Sequence, residues 1–352
     1  MAITFGTIGT GWITEAWIKA ATKKGQWQLH SVYSRTQEKA DAFASKFDCK
    51  TTYTSLDDFA ADKDMQAVYI ASPNSHHYAH AKKLLQAGKH VILEKPAVST
   101  SYQLSELYSI AQPKGLFLIE AYRHIQEANF KLLRDEITEQ KRLGPIYGAS
   151  LTYASYSSRY NNVLAGETPN IFSLEYAGGS LVDIGVYPIT FAVALFGHPD
   201  SQTYVPFKCA TGVDGGGVIV LGYDGFGVQI NQSKGYQSFA PSEIYGEKGT
   251  ISINATTDIK SVKHWDPKTK KSEELAGPLR DENAAVNMEE EAEEFARILN
   301  EKDTEAAREL ERISRTVMKI TRDLRRQNGI EYPDDVWSER SVCVVDEKAK
   351  EL

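Results

Sequence analysis

A doubly wound parallel α/β sheet, followed by an open, mostly antiparallel sheet flanked by helices, is the fold class predicted by this 352-residue chain. Three observations predict it. Short apolar runs alternate with helical stretches up to Ala121, Gly9-Thr10-Gly11 falls where a strand turns into a helix, and the texture changes to alternating strands from Ile146 onward. Repeated strand and helix units build a parallel sheet that holds ligands at its strand carboxyl ends.

The first strand, Ile3, Phe5 and Ile8, runs into Gly9-Thr10-Gly11-Trp12-Ile13-Thr14, and Glu15 to Thr22 reads as a helix. In that context a glycine-rich loop lays backbone N–H groups and a helix N-terminus against a pyrophosphate. Gly9 suits the tight turn, Gly11 leaves room for phosphate, and Trp12 and Ile13 continue the loop. The third fingerprint position, normally Gly or Ala, is Thr14, a departure from the motif.

The second strand, Trp27 to Ser34, ends in Ser34-Arg35. An acid here would accept from a ribose 2′-OH, whereas a hydroxyl and a guanidinium suit a 2′-phosphate. NADP(H) is therefore favoured over NAD(H). A third apolar run, Ala67 to Ala71, opens into Ser72-Pro73-Asn74-Ser75-His76-His77 and a helix reaching Ala87. Gly88-Lys89-His90 then feeds a strand that ends at Glu94-Lys95-Pro96. A carboxylate, an amine and a proline at a buried strand end are costly as packing, so they read as a site.

The composition shift after Leu116 to Ala121 places a nucleotide-binding domain at 1–121 and a substrate and oligomerisation domain at 122–352. Ala128 to Lys141 predicts an amphipathic helix ended by Gly144-Pro145. Strands follow at Tyr147 to Tyr156, Gly217 to Tyr223, Gly227 to Ser233 and Thr250 to Asn254, with the Lys260 to Lys271 region read as solvated strands or turns. Leu310, Ile313, Val317, Ile320 and Leu324 repeat at threes and fours, so Asp303 to Gln327 is a long helix with one buried stripe. A broad sheet with one open face predicts a homo-oligomer, most simply a dimer.

These motifs together resemble the Gfo/Idh/MocA family, that of glucose-fructose oxidoreductase and inositol dehydrogenase. The resemblance rests on Gly9-Thr10-Gly11, Ser72-Pro73-Asn74 with His77, Gly88-Lys89-His90-Val91, Glu94-Lys95-Pro96, Glu120-Ala121 and the run Gly178 to Tyr187. It implies a Rossmann domain whose cofactor contacts include Gly9, Gly11, Trp12, Ile13, Ser34, Arg35, Ser72, Pro73, Asn74, His77, Glu94, Lys95 and Pro96. Most members carry His where Tyr187 stands. Tyr there is similar to the branch that includes dimeric dihydrodiol dehydrogenase and NADP-linked xylose dehydrogenase. Thr190 and Phe191 occupy the place of an aspartate common in inositol dehydrogenases, which weighs against inositol as substrate.

The chemistry follows from the residues as well. Oxidising a secondary alcohol requires a base for the hydroxyl proton while hydride leaves for the nicotinamide. A phenol with an ordinary pKa of about 10 donates a proton readily and accepts one only beside positive charge. Lys95 supplies that charge to Tyr187. Asp183, four residues before Tyr187, shares its face on a helical turn and orients phenol or substrate, although Gly185 and Pro188 argue against regular helix. Tyr122, Arg123, Tyr160 and Asn170, with Tyr156 and Arg159 between the motifs, are candidates to line the substrate pocket. His77 is expected to contact the cofactor, while His76 and His80 are expected on the surface, and no ligand set suggests a metal.

The expected activity is hydride transfer between NADP(H) and a secondary alcohol or carbonyl of a sugar, polyol or cyclic diol. The alternatives are an NAD-dependent sugar or inositol dehydrogenase and a non-catalytic NADP(H) sensor. A net charge of -7 and a pI near 5.7 argue against nucleic acid and anionic membranes. Cys49, Cys209 and Cys343 are widely spaced, as unpaired thiols in a reducing compartment would be, and the N-terminus reads as a strand without a basic leader. A cytoplasmic protein is expected. No role is suggested for the tail from Glu331 to Leu352.

Overall fold

The computed structural model describes residues 2–278 and 286–335, so Cys343 and most of the tail lie outside the described residues. The chain opens with β1 (Ile3–Ile8), α1 (Trp12–Thr22), β2 (Trp27–Tyr33), α2 (Gln37–Ala44), β3 (Thr51–Tyr53) and α3 (Leu56–Ala61). It continues with β4 (Ala67–Ile70), α4 (Asn74–Gln86), β5 (His90–Leu93), α5 (Ser101–Ala111) and β6 (Leu118–Glu120). These strands form one six-stranded sheet in the order β3-β2-β1-β4-β5-β6. All its pairings are parallel, with Phe5 opposite both Leu29 and Ala67. The strand order reverses between β1 and β4, and the crevice above such a reversal is where these sheets bind ligands.

The second part comprises α6 (Ala128–Thr138), β7 (Ile146–Ala154), α7 (Tyr160–Leu164), α8 (Val186–Phe196), β8 (Ser201–Lys208), β9 (Asp214–Tyr223), β10 (Phe226–Ser233), β11 (Ser242–Gly246), β12 (Gly249–Ile253), β13 (Val262–Asp266), β14 (Lys271–Glu274), α9 (Glu289–Glu301) and α10 (Thr304–Gln327). Its eight strands run in the order β14-β13-β12-β11-β7-β10-β9-β8. One pairing departs from antiparallel: β7 and β10 run the same way, Leu151 opposite Ile230. The chain leaves β7 through helices and re-enters at the far edge, and such a crossover permits parallel strands where a hairpin does not. The inward residues alternate as a half-buried sheet requires: Ala149, Leu151, Ile219, Leu221, Val228, Ile230, Ile244 and Ile251 share one core with Ile189 and Val193 of α8.

The boundaries differ from the sequence reading at several points. The first helix begins at Trp12, three residues earlier than expected, because Gly11 already serves as its N-cap. The helix at Ala128 ends at Thr138, three residues short of Lys141, which takes a left-handed φ of 49°. Strands β8 and β11 were not read from the sequence; both show irregular polar and apolar texture rather than clean alternation. The long helix begins at Thr304, capped by Asp303, whose Oδ1 accepts from Ala306 N at 3.0 Å. Its stripe of Ile313, Val317, Ile320 and Leu324 is buried against α8 and the strands rather than against a second coil.

Late residues return to the first sheet. Ala292, Phe295, Ala296 and Ile298 of α9 share a core with Trp17, Trp27 and Ile92, and Trp27 Nε1 donates to Ala292 O at 2.8 Å. Trp17 stacks on Tyr69 at 4.6 Å within that core. Truncating a fully buried ring such as Phe295 to Ala would cost about 3–5 kcal/mol.

Candidate active site

The crevice above β1 and β4 is a cavity of about 690 Å³ lined by Gly9, Thr10, Gly11, Tyr33, Ser34, Arg35, Thr36, Lys39, Ser72, Pro73, His76 and His80. Gly9 has φ 110°, and a Cβ there would stand 2.5 Å from Ala71 O, so the turn excludes any other residue. Gly11 faces open space within 4 Å, the room a pyrophosphate needs. Thr14 is fully buried beneath the turn, filling the place of the fingerprint's third small residue. Among the described residues the side chains of Arg35 and Lys39 have no hydrogen-bond or ion-pair partner, so two cations and the Ser34 hydroxyl stand at the end of β2. This donor set fits an NADP 2′-phosphate.

Several expected contacts are placed otherwise. Trp12 is exposed and lines a separate groove with Lys19 and Met288, and Ile13 packs on the first core, so these two offer the crevice only backbone. Asn74 Nδ2 donates to Ala177 O at 3.1 Å, tying α4 to the second part. His77 is buried away from the crevice. Its Nδ1 lies 2.9 Å from Pro96 O and its Nε2 2.8 Å from Ser72 O, so it staples the two strand-end loops together and does not line the crevice. Burial pushes its pKa down, and a neutral ring donates to only one of the two carbonyls. His80, expected on the surface, is half-buried in the crevice wall, 3.0 Å from Ser72 Oγ, and burial lowers it to about 4. His76 is exposed, as expected.

The strand end after β5 carries the chemistry. Glu94 is buried, accepts from the Tyr69 hydroxyl at 2.6 Å, and burial pushes its carboxyl up. Lys95 Nζ donates to Asp183 O at 2.8 Å and to Asp183 Oδ1 at 3.1 Å, and stands 4.9 Å from the centre of the Tyr187 ring. Burial opposes its charge, but Tyr187, Asp183 and Glu94 outweigh that and raise its pKa. Asp183 shows the converse: burial would raise it, yet Lys95 and Lys234 hold it well below the carboxylate range.

Asp183 and Tyr187 do converge, though not on a regular helical turn. Leu181 to Gly185 form a π-helical turn leading into α8, the kind of irregularity often found at functional sites. The glycines before it explain the anchoring. A Cβ on Gly178 would lie 2.5 Å from Ile171 O, and one on Gly179, at φ 128°, would lie 2.4 Å from Asp214 Oδ1. Asp214 Oδ2 in turn accepts from Leu181 N and from the Tyr204 hydroxyl, both at 2.7 Å, fixing the turn that bears Asp183.

Of the expected pocket residues, two belong elsewhere. Tyr122 is buried in the second core. Arg123 is also buried, held by two hydrogen bonds to Asp258 at 2.9 and 2.7 Å, so it is not free for substrate; its guanidinium instead flanks the Tyr187 ring at 5.7 Å. Tyr160 is half-buried and packs on Phe172 and Tyr156, beside the Lys234 end of the site, while Asn170 is exposed in a short turn. The sequence reading missed Lys234, Asp258, His124 and Tyr153. His124 and Tyr153 present ring edges to Tyr187 at 5.0 and 5.4 Å. The available signal for Lys234 was its place directly after a strand, but its meeting with Asp183 depends on a contact distant in sequence, Gln232 of β10 accepting from the Ser180 hydroxyl beside the turn that bears Asp183.

Comparison with known proteins agrees with this geometry. Residues 3–122 match the family described as "Oxidoreductase family, NAD-binding Rossmann fold" and residues 133–252 match the "GFO/IDH/MocA C-terminal domain". The scyllo-inositol 2-dehydrogenase (NADP(+)) IolU of Bacillus subtilis is 38% identical over 335 residues, 95% of this chain and 99% of that protein. The D-xylose 1-dehydrogenase (NADP(+)) of Hypocrea jecorina is 25% identical, covering 96% of each. The fold is also that of KijD10, a 3-ketoreductase from Actinomadura kijaniata, with a TM-score of 0.75 at 20% identity over 92% of this chain and 97% of that one. The chain is a member of the GFO/IDH/MocA family of oxidoreductases.

Proposed function

We propose that this protein is an NADP(H)-dependent dehydrogenase or reductase that interconverts a secondary alcohol and a carbonyl on a sugar, polyol or cyclic diol, with Tyr187 as the proton carrier. The observation that carries the reading is Lys95 Nζ, 4.9 Å from the Tyr187 ring centre and hydrogen-bonded to Asp183. When bound, NADP(H) supplies the chemistry of hydride exchange at the substrate carbon, leaving one proton to be moved at the substrate oxygen. Tyr187 takes that proton in oxidation and returns it in reduction. Lys95 sets a positive charge beside the ring, and Asp183 fixes the Lys95 ammonium by two contacts. Such proton transfer contributes 10² to about 10⁴-fold.

Ser34, Arg35 and Lys39 support NADP over NAD. The relatives named for scyllo-inositol and D-xylose support a polyol or sugar, and the first removes the force of the argument from Thr190 and Phe191 against inositol. A non-catalytic sensor has no need of a lysine, aspartate and tyrosine converging beyond the cofactor crevice. The division at residue 121 belongs to this reading, as does a dimer formed through the open face of the second sheet, where Val205, Val218, Val220 and Trp265 are exposed. No helix among the described residues is long and apolar enough to cross a membrane, and a cytoplasmic location suits the reading.

The test is NADPH absorbance turnover across inositols, pentoses, hexoses and cyclic trans-diols, with NADH in parallel. Turnover of at least one class, lost in Tyr187→Phe, supports the reading. Tight NADPH binding with no turnover of any class would favour the sensor.

A further inference from the structure

Lys234 lies outside every motif from which the site was read. It follows β10 directly, is 7% exposed, pairs through Nζ with Asp183 Oδ2, and rests 5.4 Å from the Phe172 ring centre. Asp183 therefore carries a cation on each oxygen, Lys95 on Oδ1 and Lys234 on Oδ2.

We propose that Lys234 is a positioning residue that neutralises Asp183, so that the charge of Lys95 acts on Tyr187 rather than being cancelled by the carboxylate. The proposal rests on Tyr187 being the proton carrier. Lys95 and Asp183 alone sum to zero charge, and Lys234 adds one positive charge to that pair; Glu94, whose carboxyl burial pushes up, also acts on Lys95 and is common to every variant compared. The other groups facing Tyr187 do not replace it. Arg123 is matched by Asp258, and Tyr153 is an uncharged ring edge. His124, buried beside Arg123, is held neutral by desolvation and by that guanidinium. Tyr69, a further titratable group near Tyr187, is kept protonated by burial and by Glu94. A buried lysine is costly, and here its cost is offset by a carboxylate that would otherwise compete for Lys95.

Removing one unit charge this close shifts a protonation equilibrium by roughly tenfold in proton concentration. Tyr187 titration is read without substrate as phenolate absorbance against pH, each variant minus the same variant carrying Tyr187→Phe. Lys234→Met should move the Tyr187 midpoint to higher pH by that factor, and Lys234→Arg should return it. The Asp183→Asn, Lys234→Met pair removes one charge of each sign, keeps the parent's charge balance around Lys95, and should also return it.

Kinetics with scyllo-inositol and NADP⁺ supply the second readout. Oxidation needs phenolate, so its rising limb moves to higher pH in Lys234→Met and returns in Lys234→Arg. If Lys234→Met does not fold, Asp183→Asn is compared with the double variant; the single change leaves two lysines, and its midpoint should lie roughly tenfold lower in pH terms. An unshifted midpoint in whichever comparison folds overturns the role of Lys234 while leaving the Tyr187 reading intact. Full turnover in Tyr187→Phe instead overturns that reading itself.

Discussion

Lys95 Nζ stands 4.9 Å from the centre of the Tyr187 ring, and the two residues reach that point from different parts of the fold, one from the end of β5 in the first sheet and the other from the start of α8, which packs on the second sheet. The distance puts the ammonium within the range at which it stabilises negative charge on the phenol. It also makes the active site depend on how the second sheet seats against the first. Lys95→Met should lower turnover at neutral pH at least as much as loss of the phenol proton does, by 10² or about 10⁴-fold. The check is kcat measured at saturating NADP(H). A variant with near-normal kcat would remove Lys95 from the chemistry.

Arg35 offers a direct test of cofactor choice. It lines the crevice at the end of β2 and has no partner of its own among the described residues. A lost charge-assisted contact costs roughly 1.5–3 kcal/mol, more than tenfold in affinity. Arg35→Ala should weaken NADPH binding by that factor and leave NADH binding nearly unchanged, as measured by fluorescence titration. Equal loss for both would assign Arg35 no role in reading the 2′-phosphate.

Glu120 gives a pH dependence with a definite sign. Burial raises its carboxyl to about 7 from an ordinary 4.5, against hydrogen bonds from Ser314 and Ala97 N. A raised folded pKa means that the protonated form is favoured in the folded state. Its contribution is therefore fully present below pH 4.5 and is lost as pH rises to about 7. Glu120→Gln removes the ionisation, so the difference in unfolding free energy between variant and parent should move in favour of the variant from pH 5 to pH 8, by at most about 3 kcal/mol, and the Tm difference should move the same way. Comparing variant with parent cancels the opposing histidines, of which His124 is held well below 6.5 by burial. A difference constant across that range would mean Glu120 stays ionised in the fold.

The legible parts of this protein were those governed by local physics. Gly9 announced a turn because no other residue fits there, and Glu94-Lys95-Pro96 stood out because charge at a buried strand end is costly. Asp183 and Tyr187 were read together because four residues on a helical turn share a face; the turn is π-helical, and each side chain meets Lys95 rather than the other. What escaped was set by distant pairing. Lys234 reaches Asp183 because the turn bearing Asp183 is held against the end of β10, where Gln232 accepts from the Ser180 hydroxyl, 52 residues away in the chain. Arg123 looked like a substrate ligand until Asp258, 135 residues later in the chain, was seen to hold it. His77 carried a motif's signature, but both its nitrogens face the backbone carbonyls of strand-end loops.

The central claim is that Tyr187 moves the proton. Tyr187→Phe keeps the ring between Lys95 and Arg123 and removes only the hydroxyl. The decisive measurement is kcat for that variant, alongside its NADPH affinity and Tm. The account expects unchanged affinity and stability with kcat lowered by 10² to about 10⁴-fold. Retention of most of the parent kcat, above all together with inactivity of Lys95→Met, would contradict it and make the lysine the proton carrier.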